Sequence, residues 1–209
     1  MDYKNLKQEE KQMIFYHDIE KDDLEKIRQT YVRHGCQHAY QHVCQVAEVA
    51  IELAKKYELN IEKCIIASLL HDISVMMTQD QMYAFAKKHN WTIDLSEEKY
   101  HFLLHQRLSR VIAQKEFCIL DEDILSAIEC HTTLKKNASD YDKVVFIADK
   151  IAWDQKSKPL YDELIDNALD DSLDYACYQF IKYQFDHHGL LMPHHWLKEA
   201  YQELKEKYE

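Results

Sequence analysis

Two glycines (Gly35 and Gly189) and two prolines (Pro159 and Pro193) are all that punctuate 209 residues. Hairpins and sheets need such residues often, because tight turns demand backbone angles that glycine reaches freely and proline pre-sets. A chain this poor in both is confined to elements that run on and connect without tight turns, so the expected fold is all-α. With 46% hydrophobic and 30% charged residues it has the apolar content for a packed core and is no disordered chain. The length suits one large domain and is too short for two generous ones. The expected layout is an N-terminal extension over residues 1–20 and a single helical domain over 21–209.

Apolar spacing locates the helices. Leu24, Ile27 and Tyr31 mark one from about Asp22 to Arg33, ending near Gly35. Val43, Val46, Ala47, Ala50, Ile51, Leu53 and Ala54 give the segment from about Gln37 to Tyr57 a broad apolar face. Asn60 is positioned to cap the helix that carries Ile65, Ile66, Leu69 and Leu70 into His71-Asp72. Thr78 with Gln81, and Ser139 with Asp142, read as capping boxes. Ser96 is the expected cap of a helix running through Tyr100, Leu104, His105 and Leu108 to Ile112. A shorter helix runs from about Glu122 to Cys130, and two longer ones cover roughly 160–186 and 194–208.

Several function classes are disfavoured by the sequence. No apolar run approaches the roughly 20 residues that span a bilayer, and Met1-Asp2-Tyr3-Lys4-Asn5 lacks the apolar core of a signal peptide, so the expected location is cytoplasmic. The six cysteines (Cys36, Cys44, Cys64, Cys118, Cys130 and Cys177) form no C-x-x-C pair and read as small core residues within helical segments. A formal net charge of −11 opposes an extended phosphate backbone, so a nucleic acid polymer is not the expected partner. A small phosphorylated substrate stays open, because a bound metal inverts the local charge.

Thirteen histidines raise the question of which converge. His34, His38 and His42 lie four apart and would share a helical face, as would His101 and His105. His187-His188 and His194-His195 flank a turn near Gly189 and bring no acidic partner of their own. A stronger set is His42, His71, Asp72, His105, His131 and Asp149, each within or at the end of a core-directed segment. Buried imidazoles and carboxylates are costly unless paired or metal-bound. Neighbours on a helix point about 100° apart, so His71 and Asp72 can serve one centre only if the helix ends between them or the backbone kinks. Nitrogen and carboxylate donors with open positions suit iron, manganese or zinc, without choosing among them.

In their order, His42, His71-Asp72, His105, His131-Thr132 and Ala148-Asp149-Lys150-Ile151 resemble the HD-domain metal-dependent phosphohydrolases, and within them the YqeK-type symmetrical bis(5'-nucleosyl)-tetraphosphatases. The similarity runs from about residue 34 to 205. It implies a helical bundle around two divalent metal ions, iron by the family's habit, with Asp72 bridging them. His42, His71 and Asp149 would complete one site, and His105 and His131 would serve the other. His71 and Asp72 would form the catalytic pair, and a small nucleotide would be the substrate, cut by phosphoester or phosphoanhydride hydrolysis. A homodimer is compatible with this reading.

The chain departs from the YqeK-type pattern around these ligands. Ala39 stands where the pattern has arginine, Val75 where it has lysine, and Leu134 where it has glycine. Ala152-Trp153-Asp154-Gln155 replaces Glu-Pro-x-Arg. Three basic residues that would grip a polyphosphate are therefore absent, at about 1.5–3 kcal/mol for each charge-assisted contact. Lys150, Thr132, Lys135 and Arg107, with Lys136, are the candidates to hold the substrate in their place. Besides hydrolysis, the sequence allows a regulatory module that keeps its metals and binds nucleotide without cleaving it, or a di-iron oxygenase.

Overall fold

The computed structural model describes residues 21–152, 159–187 and 189–209. Among them are eleven α-helices and two short 3-10 helices, with no strand. The α-helices are α1 Lys21–Arg33, α2 Gln37–Lys56, α3 Ile61–Leu70, α4 Gln79–Lys88, α5 Leu95–Lys99, α6 His105–Glu116, α7 Glu122–Cys130, α8 Asp140–Ile151, α9 Asp162–Asp171, α10 Leu173–Asp186 and α11 His195–Tyr208. The 3-10 turns, Ile73–Met76 and His101–Leu104, follow Asp72 and precede His105.

Helices α2 and α8 are central because each is apolar on more than one side. Val46, Ala50 and Leu53 of α2 join Val144, Phe146 and Ile147 of α8 in a core shared with α9, α10 and α11. Val43 and Ala47, with Val145, face a second core built from α1, α3 and α7. Between these cores, α3 contributes Cys64 to the first and Ile65, Ala67, Leu69 and Leu70 to the second. Such burial on both sides fixes α3 along its length, and with it the residues that leave its end. Buried Tyr31 adds a strut, its hydroxyl donating to the Leu69 carbonyl at 3.1 Å.

Local chemistry sets the helix starts. Asn60 accepts the Lys63 N–H at 3.0 Å, and both expected capping boxes, Thr78 with Gln81 and Ser139 with Asp142, are formed. Elsewhere the structure departs from the sequence reading. The helix expected from Ser96 to Ile112 is three elements. Asp94, not Ser96, is the cap of α5 and pairs with Glu97 in a third capping box, while the Ser96 N–H and hydroxyl donate to Asp94. The chain then leaves helical angles at Tyr100 before the 3-10 turn and α6. The segment expected over 160–186 divides at Ser172, whose extended backbone ends α9 and whose side chain caps α10.

His34 lies in the turn before α2 and so off the face of His38 and His42. His101, in the 3-10 turn, stacks on Tyr83 at 4.0 Å rather than pairing with His105. Cys36 is the half-buried residue before α2 and Cys118 is exposed at φ +56°, so only Cys64, Cys130 and Cys177 are the buried core thiols expected of all six. The extension over 1–20 and Trp153, Asp154 and Gln155 fall outside the described residues. No helix among those described is long and apolar enough to cross a membrane.

Candidate metal centre

Helix α3 stops at Leu70 and His71 is its C-cap, so Asp72 already has non-helical angles. The pair therefore converges instead of diverging, with His71 Nε2 3.6 Å from Asp72 Oδ2. Helix α7 ends in the same way at Cys130 with His131 as C-cap. His105 opens α6 directly after a 3-10 turn. The last carbonyls of a helix lack intrahelical donors, and imidazoles near the end can supply them.

In all three histidines the Nδ1–H donates to the carbonyl three residues earlier. The partners are Ser68 at 2.6 Å for His71, Phe102 at 2.6 Å for His105 and Ile128 at 2.8 Å for His131. A carbonyl only accepts, so these bonds place a proton on Nδ1 of each ring and, in the neutral form, leave Nε2 as the lone pair. His105 Nε2 and His131 Nε2 are 2.9 Å apart. Two lone pairs at that distance repel unless a cation or a proton lies against both. His71 Nε2 is buried without a hydrogen-bond partner. The donor set thus fits a metal ion: the Nε2 atoms are aimed inward, available as ligands in the neutral rings, and held from behind.

Asp72 divides its carboxylate between two histidine groups. Its Oδ1 lies 3.4 Å from both His105 Nε2 and His131 Nε2, while Oδ2 faces His71. His42, from α2, donates through Nε2 to Asp149 Oδ1 at 3.0 Å, and that oxygen is 3.7 Å from His71 Nε2. Two overlapping sets, His42 with His71 and Asp72, and Asp72 with His105 and His131, each bring three ligand atoms within 4.8 Å of one another. The structure therefore brings all six residues of the expected ligand set together.

His71 and His131 form a buried floor, and the side chains of Asp72, His105, His42 and Asp149 form a half-buried rim. Burial alone would raise the Asp72 carboxyl, but His71, His131 and His105 outweigh it and hold the group well below the usual carboxylate range. Asp149 behaves alike: burial is outweighed by Lys150, His42 and His71. Burial, with the charge of His71, brings His131 down to about 4. Such a ring is neutral near pH 7 and ready to ligate.

Of the substrate candidates, two lie at this cluster. The Thr132 hydroxyl is 3.1 Å from His105 Nε2. The Lys150 ammonium bonds Asp149 and lies 3.4 Å from the His131 carbonyl. Of the other three, Lys136 is exposed and two have different partners. Arg107 is held by the buried Glu97 carboxylate and the Thr92 carbonyl, stacked on Trp91. Lys135 donates to Ser126 and faces Asp142. Both are expected from the sequence to hold the substrate, and the structure instead engages them with partners from other elements.

Polar residues missed in the sequence support the cluster. Gln106, fully buried, accepts the Thr132 N–H at 3.2 Å and bonds the Thr133 hydroxyl. The Ser74 hydroxyl donates to the His105 carbonyl at 2.8 Å, and Ser109 donates to Ser74 in turn. Their one sequence signal was a polar residue on an otherwise apolar face. At the glycine position of the family pattern, Leu134 holds φ +53° while its side chain is buried in the first core. Side chains disfavour this left-handed region by about 1–2 kcal/mol, which accounts for glycine there, and apolar burial offsets it here.

An all-helical bundle with a shared carboxylate at the junction of two histidine sets defines a class, and the chain belongs to the HD domain family, whose profile matches residues 39–154. Among relatives, it is 34% identical over 130 residues to the symmetrical bis(5'-nucleosyl)-tetraphosphatase of Halalkalibacterium halodurans, covering 60% of this chain and 67% of that one. It is 30% identical over 161 residues to the Staphylococcus aureus protein of the same name, covering 77% and 82%. The crystal structure of a predicted HD superfamily hydrolase involved in NAD metabolism from Clostridium acetobutylicum superposes with a TM-score of 0.77 at 28% identity, over 88% of this chain and 97% of that one.

Proposed function

We propose that the chain is a di-metal phosphohydrolase acting on a nucleotide, with symmetrical hydrolysis of diadenosine tetraphosphate to two ADP as the specific reaction. The observation that carries this reading is the division of the Asp72 carboxylate, one oxygen toward His71 and the other toward His105 and His131. In this reading His42, His71, Asp72 and Asp149 would hold one ion, and Asp72, His105 and His131 would hold the other. Iron, manganese and zinc are all compatible with these donors. Two such ions, when bound, supply a nucleophile from water at neutral pH and stabilise the charge on the leaving oxygen.

The chain's own groups do the rest. Nδ1–H bonds to backbone carbonyls hold His71, His105 and His131 in the ligating tautomer. Gln106 sets the Thr132 segment, whose hydroxyl faces the cluster. Lys150 brings positive charge to the rim, where a phosphate oxygen would approach. The names of the relatives support the tetraphosphate substrate.

The test is incubation of iron- or manganese-loaded protein with diadenosine tetraphosphate and a panel of nucleotides. The expected result is two ADP per molecule of substrate, without AMP or ATP. Hydrolysis of other nucleotides alone would keep the class and replace the substrate. No turnover of any nucleotide by metal-loaded protein would overturn the reading. It would favour a binding or regulatory module, which the engagement of Arg107 and Lys135 elsewhere also supports.

A further inference from the structure

Two 3-10 turns flank the Asp72 cluster: Ile73–Met76 follows Asp72, and His101–Leu104 leads into His105. The first turn is tied to the start of α6, since the Ser74 hydroxyl donates to the His105 carbonyl at 2.8 Å and the Ser74 N–H to the Ser109 hydroxyl at 3.2 Å. Each turn carries an exposed apolar side chain, Val75 at 44% and Phe102 at 46%. Val75 lies three residues after Asp72 and Phe102 three residues before His105. Residues so spaced on a helical turn have Cβ atoms about 5–6 Å apart. Scattered apolar residues on a surface are ordinary, but these two stand within one turn of the half-buried rim of carboxylates and imidazoles.

Phe102 is the informative residue. Its backbone carbonyl accepts the His105 Nδ1–H at 2.6 Å, which locks the turn to the ligand. Neighbouring rings have partners for their faces: Tyr83 stacks on His101 at 4.0 Å with the planes 14° apart, and the Lys99 ammonium lies 5.4 Å over Tyr100. The Phe102 ring meets Tyr100 at 6.3 Å with the planes tilted by 55°, and its exposure leaves flat surface open to solvent. An open aromatic ring takes a planar partner by offset stacking.

Val75 bears on what that partner is. The YqeK-type pattern has a lysine at its position, so a charged grip on phosphate is exchanged here for apolar surface. With the Asp72 cluster read as a nucleotide site, on which this inference rests, the phosphates go to the cluster and to Lys150 at its rim. The base, joined to them through the ribose, is the part of the ligand left to meet apolar side chains one turn away. Every nucleobase presents a π face to an aromatic ring, whatever its hydrogen-bonding edge.

We propose that Phe102 is the stacking platform for the nucleobase of the ligand, so that this chain recognises a nucleotide through its base where the family pattern grips phosphate. Calorimetry on manganese-loaded protein tests this by comparing ADP with inorganic pyrophosphate, which differ by the adenosine. Wild type is expected to bind ADP the more tightly, and Phe102→Ala is expected to cut that preference, the ratio of the two dissociation constants, by roughly 10-fold or more. Phe102→Tyr keeps an aromatic face and is expected to keep the ratio near that of wild type. Circular dichroism and metal analysis check that each variant is folded and loaded. An unchanged ratio in folded, loaded Phe102→Ala would overturn the platform, as would the absence of any preference for ADP in wild type. The measurement needs no turnover, so a failed nucleotide assay would remove the phosphohydrolase and leave the platform to be decided by binding alone.

Discussion

Asp72 is the residue on which both histidine sets depend. Asp72→Asn keeps the shape but removes the shared charge, and is expected to lower metal affinity and hydrolysis by more than the roughly 10–100-fold typical of residues that only orient a ligand. Metal analysis together with ADP release checks this. Gln106→Leu keeps the volume but leaves the Thr132 N–H without its acceptor, and is expected to cost about 1–3 kcal/mol in a urea titration. Leu134 gives a prediction with an unusual order. Leu134→Ala loses buried apolar volume and keeps the left-handed strain, whereas Leu134→Gly loses the volume and relieves it. Both should destabilise, and glycine should be the milder by about 1 kcal/mol, against its ordinary ranking. The clustering of the histidine and aspartate ligand candidates was legible in the sequence because such residues on apolar segments are costly without a reason. The supports were not, since Gln106, Ser74 and Ser109 carry no charge and look like ordinary solvated positions.

At the scale of elements, capping chemistry and apolar period located the helices, and their ends decided the site. The capping boxes at Thr78 and Ser139 were readable because both partners lie within one turn. The break at Tyr100 and the division at Ser172 were not readable, as neither carries a glycine or proline and the apolar pattern runs through both. Asn60 caps α3 at the end opposite His71. Asn60→Ala is therefore expected to cost about 1 kcal/mol of stability while leaving metal affinity near wild type. Paired urea and metal titrations separate the two effects.

For the whole molecule, the contact between α5, α6 and α11 should set the acid limb of stability. Burial alone would raise Asp94 and Glu97, but Ser96 and His195 hold Asp94 below the usual range, and His194, the Asp94 N–H and Arg107 do the same for Glu97. A carboxyl depressed in the folded state contributes in full above its unfolded pKa, near 4, and that contribution is lost as pH falls from there toward the folded value. In chelator, the difference in urea midpoint between wild type and Glu97→Gln should hold steady from pH 7 to about 5 and shrink below about 4.5. Glu97→Gln leaves Arg107 unpaired, so it should be less stable by about 3 kcal/mol at pH 7 and show a flatter acid limb. Neither this junction nor the engagement of Arg107 could be read from the chain, because His194, His195 and Asp94 are brought together by the route of the backbone.

The three imidazoles tied to carbonyls of their own turns have a consequence for exchange kinetics. Each ligand takes its direction from the segment that carries it, so an arriving ion finds the nitrogens already aimed and little has to reorganise. Uptake at the cluster should then be set by passage over the rim of Asp72, His105, His42 and Asp149, whereas release still has to break the bonds to the donors.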